Sequence, residues 1–306
     1  MKRIVGNSGV VNYGSGNVTN SAVGDGATVN VGGGLPEAGE RPRPRLQAPQ
    51  EAWDVGIVTV LSEETAELIK ALGLKRDEDG PRRPFFYTGE VAADGRPARA
   101  VAVRTIGQGQ RACMGALENL RRHYDPALLA LVGIGGGVHD GVALGDVVVG
   151  TRVVYYDLRK ETGQGTRHRG EEREAPADVL HSVNAFFTEH GEPALLPAAS
   201  AGGTRDGGFK AHHGPIGSGD AVIADEDNEN RRFLRGYNDK VLAVDMEAGG
   251  LSQFCQENSV GSGRTPGWVV VRGISDHADR RKGDSHHAAA ARNAASVLRR
   301  LIPYLL

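Results

Sequence analysis

Cysteine is scarce in these 306 residues: Cys113 and Cys255 are the only two. Both fall in segments whose apolar spacing predicts helices, and two such thiols make no disulfide framework, which points to a reducing compartment. A surplus of either charge is also missing, with 36 basic against 38 acidic residues and a formal charge of −2. Binding along a phosphate backbone needs a clear basic excess, so neither nucleic acid nor a membrane surface is expected as a partner. No uninterrupted apolar run approaches membrane-spanning length. No apolar core follows Met1-Lys2-Arg3-Ile4, so no secretory signal is expected and the protein is read as soluble and cytoplasmic. Wholesale disorder is excluded by 39% hydrophobic and 24% charged residues.

What is present is unevenly distributed. Gly6 to Gly34 is almost wholly Gly, Asn, Ser, Val, Thr and Ala, with a single charge at Asp25. Residues 35–50 interleave Pro36, Pro42, Pro44 and Pro49 with Arg41, Arg43 and Arg45, a composition that favours extended, solvated backbone. The expected organisation is a Gly/Asn/Val-rich extension over 1–34, a linker over 35–50 and one large domain over 51–306. In that domain short apolar runs predict buried strands at Val55–Leu61, Arg99–Ile106, Leu128–Ile134, Asp146–Tyr155, Val241–Val244 and Trp268–Ile274. Helices are predicted after Ser62, taken as an N-cap, and at Ala112–Arg122, Gly249–Glu257 and Ser285–Leu301. Strands alternating with helices imply a three-layer α/β/α domain, in which ligands bind beyond the strand ends.

Four segments at such positions carry chemistry. Ser62-Glu63-Glu64 follows the first strand, although acids in a helix's first turn are also favoured by the macrodipole. Asp245-Met246-Glu247 joins a strand to a helix, with two carboxylates bracketing a methionine and no packing reason for the pair. Arg272-Gly273-Ile274-Ser275-Asp276-His277-Ala278-Asp279 leaves the last strand. A metal reading of Asp276, His277 and Asp279 with His286 and His287 lacks any recognised ligand spacing, so no metal is expected. Gly107-Gln108-Gly109-Gln110-Arg111-Ala112 matches a dinucleotide fingerprint literally, but it lies deep in the domain without a suitably placed acid. No cofactor is expected.

Taken together these segments resemble the nucleoside phosphorylase superfamily, in particular its methylthioadenosine/S-adenosylhomocysteine nucleosidase branch. The resemblance covers Asp54 to the C-terminus. It is carried by Gly56-Ile57-Val58-Thr59-Val60-Leu61-Ser62-Glu63-Glu64, Gly133-Ile134-Gly135-Gly136-Gly137-Val138, Ser218-Gly219-Asp220-Ala221-Val222-Ile223, Asp245-Met246-Glu247-Ala248 and Arg272-Gly273-Ile274-Ser275-Asp276. The resemblance implies a central mixed sheet and a hydrolase acting on the N-glycosidic bond of a purine nucleoside or nucleotide. It implies that Glu64 activates water and Asp276, next to Ser275, protonates purine N7. It further implies that Met246 and Glu247 clamp the ribose, while Gly136, Val222 and Ile223 lie against the substrate. A homo-oligomer is implied as well.

The pattern departs from the family at Ile134, where a serine is common, and at Val222, where an aromatic usually covers the base. A phosphate-dependent phosphorylase is the alternative; neither Arg104 nor Arg111 falls on a phosphorylase motif. A catalytically weak signalling or assembly protein is a second alternative, opposed by the retention of Glu64, Glu247 and Asp276. The wording around Arg272–Asp279 and Tyr155–Lys160 is similar to domains of this kind in NLR-type immune effectors. Val11-Asn12-Tyr13-Gly14-Ser15-Gly16-Asn17 resembles RHIM-like amyloid signalling motifs, which implies an amyloid-motif partner acting through residues 6–34; a flexible glycine-rich tail reads the same segment equally well.

Overall fold

The run Val55-Gly56-Ile57-Val58-Thr59 is buried at every position and forms the first strand of the sheet. The computed structural model describes residues 52–198, 208–259, 266–278 and 286–306. The expectations for the extension and linker over 1–50 lie outside these residues, as does Asp279.

The first half of the domain contains β1 (Val55–Thr59), α1 (Ser62–Leu72), β2 (Lys75–Arg76), β3 (Phe86–Val91), β4 (Ala98–Arg104), α2 (Gln110–Tyr124) and β5 (Leu128–Gly137). It continues through β6 (Val147–Gly150), β7 (Arg152–Tyr155), β8 (Arg159–Thr162), β9 (Gly165–His168), β10 (Glu171–Glu174) and α3 (Ala177–His190). Then follow β11 (Ala194–Leu196), β12 (Phe209–His213), β13 (Ile216–Ser218), α4 (Glu229–Tyr237), β14 (Ala243–Asp245), α5 (Ala248–Glu257), β15 (Gly267–Asp276) and α6 (His287–Leu305). Among the described residues all strands except the β8–β9 hairpin join one mixed sheet. Helices α1 and α3 pack on α6, and α2 packs on α5.

The site is positioned by β5. It pairs in parallel with β15 along nearly its whole length. Its other edge is shared: β1 runs beside Leu128–Leu131, and β14 takes over antiparallel at Gly136 and Gly137. Between the two, this edge of β5 has no strand partner, and its backbone donors face the space left between the strand ends. Behind it, α6 lies so close to β15 that a Cβ on Gly273 would come within 2.0 Å of the Ala290 carbonyl oxygen. No side chain fits there, so glycine is required for this helix–strand approach.

Several sequence expectations change in detail. The strand read over Asp146–Tyr155 is two, β6 and β7, because the chain leaves its pairing with β15 and β12 and joins β13 and β10. The short strand read at Val241–Val244 lies at Ala243–Asp245, and the final helix begins at His287. Ser62 does not cap α1. Leu61 occupies that position, the Ser62 hydroxyl bonds Glu63, and the Glu64 carboxylate takes the N–H of Leu61. A carboxylate folding back on its own helix start fulfils the capping role that the hydroxyl was expected to play.

Candidate active site

Glu64, Ile134, Gly136, Val222, Ile223, Met246, Glu247, Ser275 and Asp276 line one cleft of about 690 Å³. Every residue expected to touch a ligand therefore converges, although they come from five separate stretches of chain. The volume is in the range of small-molecule sites.

Glu64 sits in the first turn of α1, nearly buried. One carboxylate oxygen, Oε2, accepts the N–H of Val60 at 2.8 Å and of Leu61 at 2.9 Å. The other, Oε1, accepts the N–H of Ile134 at 2.8 Å. That last donor is the one exposed by the gap in β5. A carboxylate has about four lone-pair positions, so three backbone donors fix its orientation and leave room for one more partner in the cleft.

The Asp245–Glu247 pair divides its work. Asp245 accepts the Ser218 hydroxyl at 2.7 Å and the backbone N–H of Ala248 at 3.1 Å, and it holds Arg272 through Nε at 2.9 Å and Nη2 at 2.7 Å. It is thus occupied in starting α5 and anchoring an arginine. Glu247 accepts the N–H of Gly109 at 2.9 Å on Oε1 and Arg272 Nη2 at 2.8 Å on Oε2, and it also faces the cleft. Burial pushes the Glu247 carboxyl above the usual carboxylate range, and the Arg272 guanidinium pulls it back. For Arg272 itself burial acts to remove the charge, but Asp245 and Glu247 outweigh it and its pKa is raised.

Arg272 is 1% exposed and was not assigned a role from the sequence. Its importance emerges at Gly133. A Cβ there would lie 2.3 Å from Glu64 Oε1 and 2.6 Å from Arg272 Nη1, so the two side chains approach one another through the space that glycine leaves. Among the described residues Nη1 has no hydrogen-bond partner, since Nε and Nη2 make all the bonds to Asp245 and Glu247. A carboxylate oxygen and a guanidinium N–H facing across a small gap suit a single water that donates to one and accepts from the other.

Asp276 closes the opposite side, where β15 ends in a register shift against β5. Its Oδ1 accepts the Ala278 N–H at 2.8 Å, and the Ser275 hydroxyl lies 2.9 Å from Oδ2. Next to it, Ile223 is buried whereas Val222 is 52% exposed, so Val222 forms a rim and covers little of the cleft. The aromatic contribution comes instead from Tyr156, fully buried, which lines the cleft and donates to the Ala221 carbonyl at 3.2 Å. Burial pushes its phenol pKa well up, keeping the hydroxyl a neutral donor.

The literal dinucleotide fingerprint also finds its place. Gly109 and Gln110 open α2, and their N–H groups go to carboxylates, Gly109 to Glu247 and Gln110 to Asp220 Oδ1 at 3.2 Å. Negative side chains of this protein fill the positions a pyrophosphate would take. Gln110 adds a further tie that the sequence did not disclose: its Nε2 donates to the Ser218 hydroxyl at 3.0 Å and its Oε1 accepts the Gly250 N–H.

Comparison with known proteins agrees with this geometry. Residues 54–303 match the phosphorylase superfamily. An "ATP nucleosidase Cap17" of Escherichia coli is 26% identical over 258 residues, which cover 79% of this chain and 49% of that protein, so this chain spans about half the length of that relative. A 5'-methylthioadenosine/S-adenosylhomocysteine nucleosidase of Mycobacterium tuberculosis is 26% identical over 276 residues, 83% of this chain and 98% of the relative. Among solved structures, the S-adenosylhomocysteine nucleosidase of Streptococcus pyogenes with 5-methylthiotubericidin superposes with a TM-score of 0.64 at 19% identity, covering 84% of this chain and 98% of its own. Futalosine hydrolase of Helicobacter pylori gives 0.63 at 17%, covering 82% and 97%. At these identities the structural likeness establishes a shared fold.

Proposed function

The chain belongs to the phosphorylase superfamily, and from that premise we propose that its cleft hydrolyses the N-glycosidic bond of a purine nucleoside or nucleotide. The observation that carries this reading is that two carboxyls, Glu64 and Asp276, line one cleft together with Glu247, which Arg272 holds. The relatives named as nucleosidases support it. Asp276 is the group that passes a proton to purine N7. The C1'–N9 bond breaks with its electron pair leaving on the base. Glu247 accepts the ribose hydroxyls, and its charge lies beside the positive sugar that forms. A water held between Glu64 Oε1 and Arg272 Nη1 then bonds to C1' and gives its proton to Glu64. Free purine and the sugar, or its 5'-phosphate ester, are the products.

Hydrolysis is favoured over phosphorolysis by charge. Inorganic phosphate would need arginine forks and a hydroxyl on the side where water attacks. That side holds the Glu64 carboxylate, and Arg272, which approaches it past Gly133, already binds two carboxylates. Incubating the purified chain with a purine nucleoside and nucleotide panel, with and without phosphate, is expected to release free base in both conditions. A strict phosphate requirement with a ribose 1-phosphate product would overturn this reading.

The same proposal extends to the chain as a whole on sequence grounds. Residues 1–34 act as an assembly motif, 35–50 as a stiff spacer, and the hydrolase domain beyond them as a defence effector. Support comes from the nearly uncharged, proline-free run with Asn7, Asn12, Asn17 and Asn20 available for stacked side-chain ladders. A peptide of residues 6–34 is expected to form thioflavin-positive fibrils. A peptide that stays monomeric at high concentration and resists seeding would reduce the segment to a tail.

A further inference from the structure

Asp276 owes its direction to the turn that follows it. The β15 ladder ends at Asp276, and the chain then turns through His277 and Ala278. Ala278 stands at φ 52°, a left-handed backbone that an alanine adopts only at a cost. Contacts from outside the sheet have to hold such a turn.

One peptide group lies at its centre. The N–H of Ala278 donates to Asp276 Oδ1 at 2.8 Å. The carbonyl of the same peptide, that of His277, accepts Nη1 of Arg231 at 2.9 Å. Nη2 of Arg231 donates to the Val138 carbonyl at 3.4 Å. The guanidinium thereby ties the turn after β15 to the residue after β5, and the His277–Ala278 peptide connects it to the carboxyl of Asp276. A carbonyl that accepts from a cation makes the N–H of its own amide a stronger donor, so the two bonds on this peptide reinforce each other.

The placement of Arg231 is costly in two ways. It is the third residue of α4, behind the Asn228 cap, where the positive end of the helix macrodipole disfavours a cation. It is also buried, and a guanidinium taken out of water needs strong hydrogen bonds in return. Helix α4 is itself fixed beside the base side of the cleft, because Leu234 shares one small core with Tyr156, Ile223 and Ala278. Arg231 does not line the cleft; with Gly137 and His277 it lines a separate cavity of about 600 Å³. It reaches the reaction only through the turn it holds.

We propose that Arg231 is a positioning residue for Asp276: its guanidinium, acting through the His277–Ala278 peptide, keeps the carboxyl aimed at purine N7. The inference rests on the hydrolase reading, in which Asp276 protonates the base, and adds the residue that directs it.

The test is a double-mutant cycle on the full chain. Steady-state kinetics are measured on whichever of adenosine, adenosine 5'-monophosphate and 5'-methylthioadenosine the unaltered chain cleaves fastest. Arg231→Met, which removes the charge and both donors, is expected to lower kcat by about 10- to 100-fold with KM changed by less than about threefold. A misdirected acid is felt in the transition state and hardly in binding. In an Asp276→Asn background there is no acid to aim, and the same substitution should change kcat by less than about twofold. Arg231→Lys keeps the charge and a donor for the His277 carbonyl but loses the fork; it should cost about 5- to 10-fold, again only where Asp276 is present. This variant carries the cycle if the methionine variant does not fold. An equal loss in both backgrounds would make Arg231 a purely structural residue and overturn the inference, as would full kcat in a folded Arg231→Met chain; either result leaves the hydrolase reading standing. Near-normal turnover by Asp276→Asn, or no base release from any of the three compounds by the unaltered chain, overturns the reading and the inference together.

Discussion

Replacing Asp276 with asparagine is expected to lower turnover by about 10²–10⁴-fold while leaving the domain folded. The purine leaves as an anion unless N7 is protonated, and the amide has no proton to give at that acidity. The structural cost is small. Asparagine's carbonyl oxygen can still accept the Ala278 N–H that Oδ1 accepts, and the Ser275 hydroxyl can turn to accept from the new NH₂ group. Steady-state kinetics with far-ultraviolet circular dichroism would check it. A folded variant with near-normal kcat would mean that another group protonates the leaving base.

Glu64→Gln is expected to cost a similar factor in rate, and in contrast to Asp276→Asn it should also cost stability. The carboxylate accepts backbone donors on both oxygens, from Val60 and Leu61 on one and Ile134 on the other. An amide can present an oxygen to only one set. Turned to keep the Val60 and Leu61 bonds, it places NH₂ against the Ile134 N–H, so that a part-buried donor loses its protein partner, at a cost of up to about 1–3 kcal/mol. Thermal unfolding and turnover should therefore both drop. A variant that loses activity with no change in melting temperature would show that the Ile134 contact is dispensable. One that loses stability and keeps full turnover would remove Glu64 from the role of base.

Both substitutions test residues that the sequence pointed to through motif wording. The reason they were legible is local: Glu64 follows its strand by a few residues, and Asp276 ends a buried run of ten. Apolar runs likewise marked β1, β4, β5 and β15, because a strand buried on both faces is apolar over most of its length. The exposed β8–β10, with mostly polar residues, left no such trace, and α3 and α4 were also not read.

The sequence by itself determined the residue types that do the chemistry and the sheet that carries them. Tertiary structure decided how those residues are paired. Asp245 and Arg272 lie 27 positions apart and Gly109 and Glu247 lie 138 apart, and only the arrangement of β14, β5 and β15 brings them together. Gly133 reads in the chain as one glycine among several. In the fold it is the opening through which a carboxylate and a guanidinium face each other. Arg104 reads as the polar end of a strand, and its Nε reaches the Val60 carbonyl because β4 ends beside β1. Such pairings depend on strand register over long separations, which local composition does not encode, whereas burial and helix or strand period are imposed residue by residue along the chain.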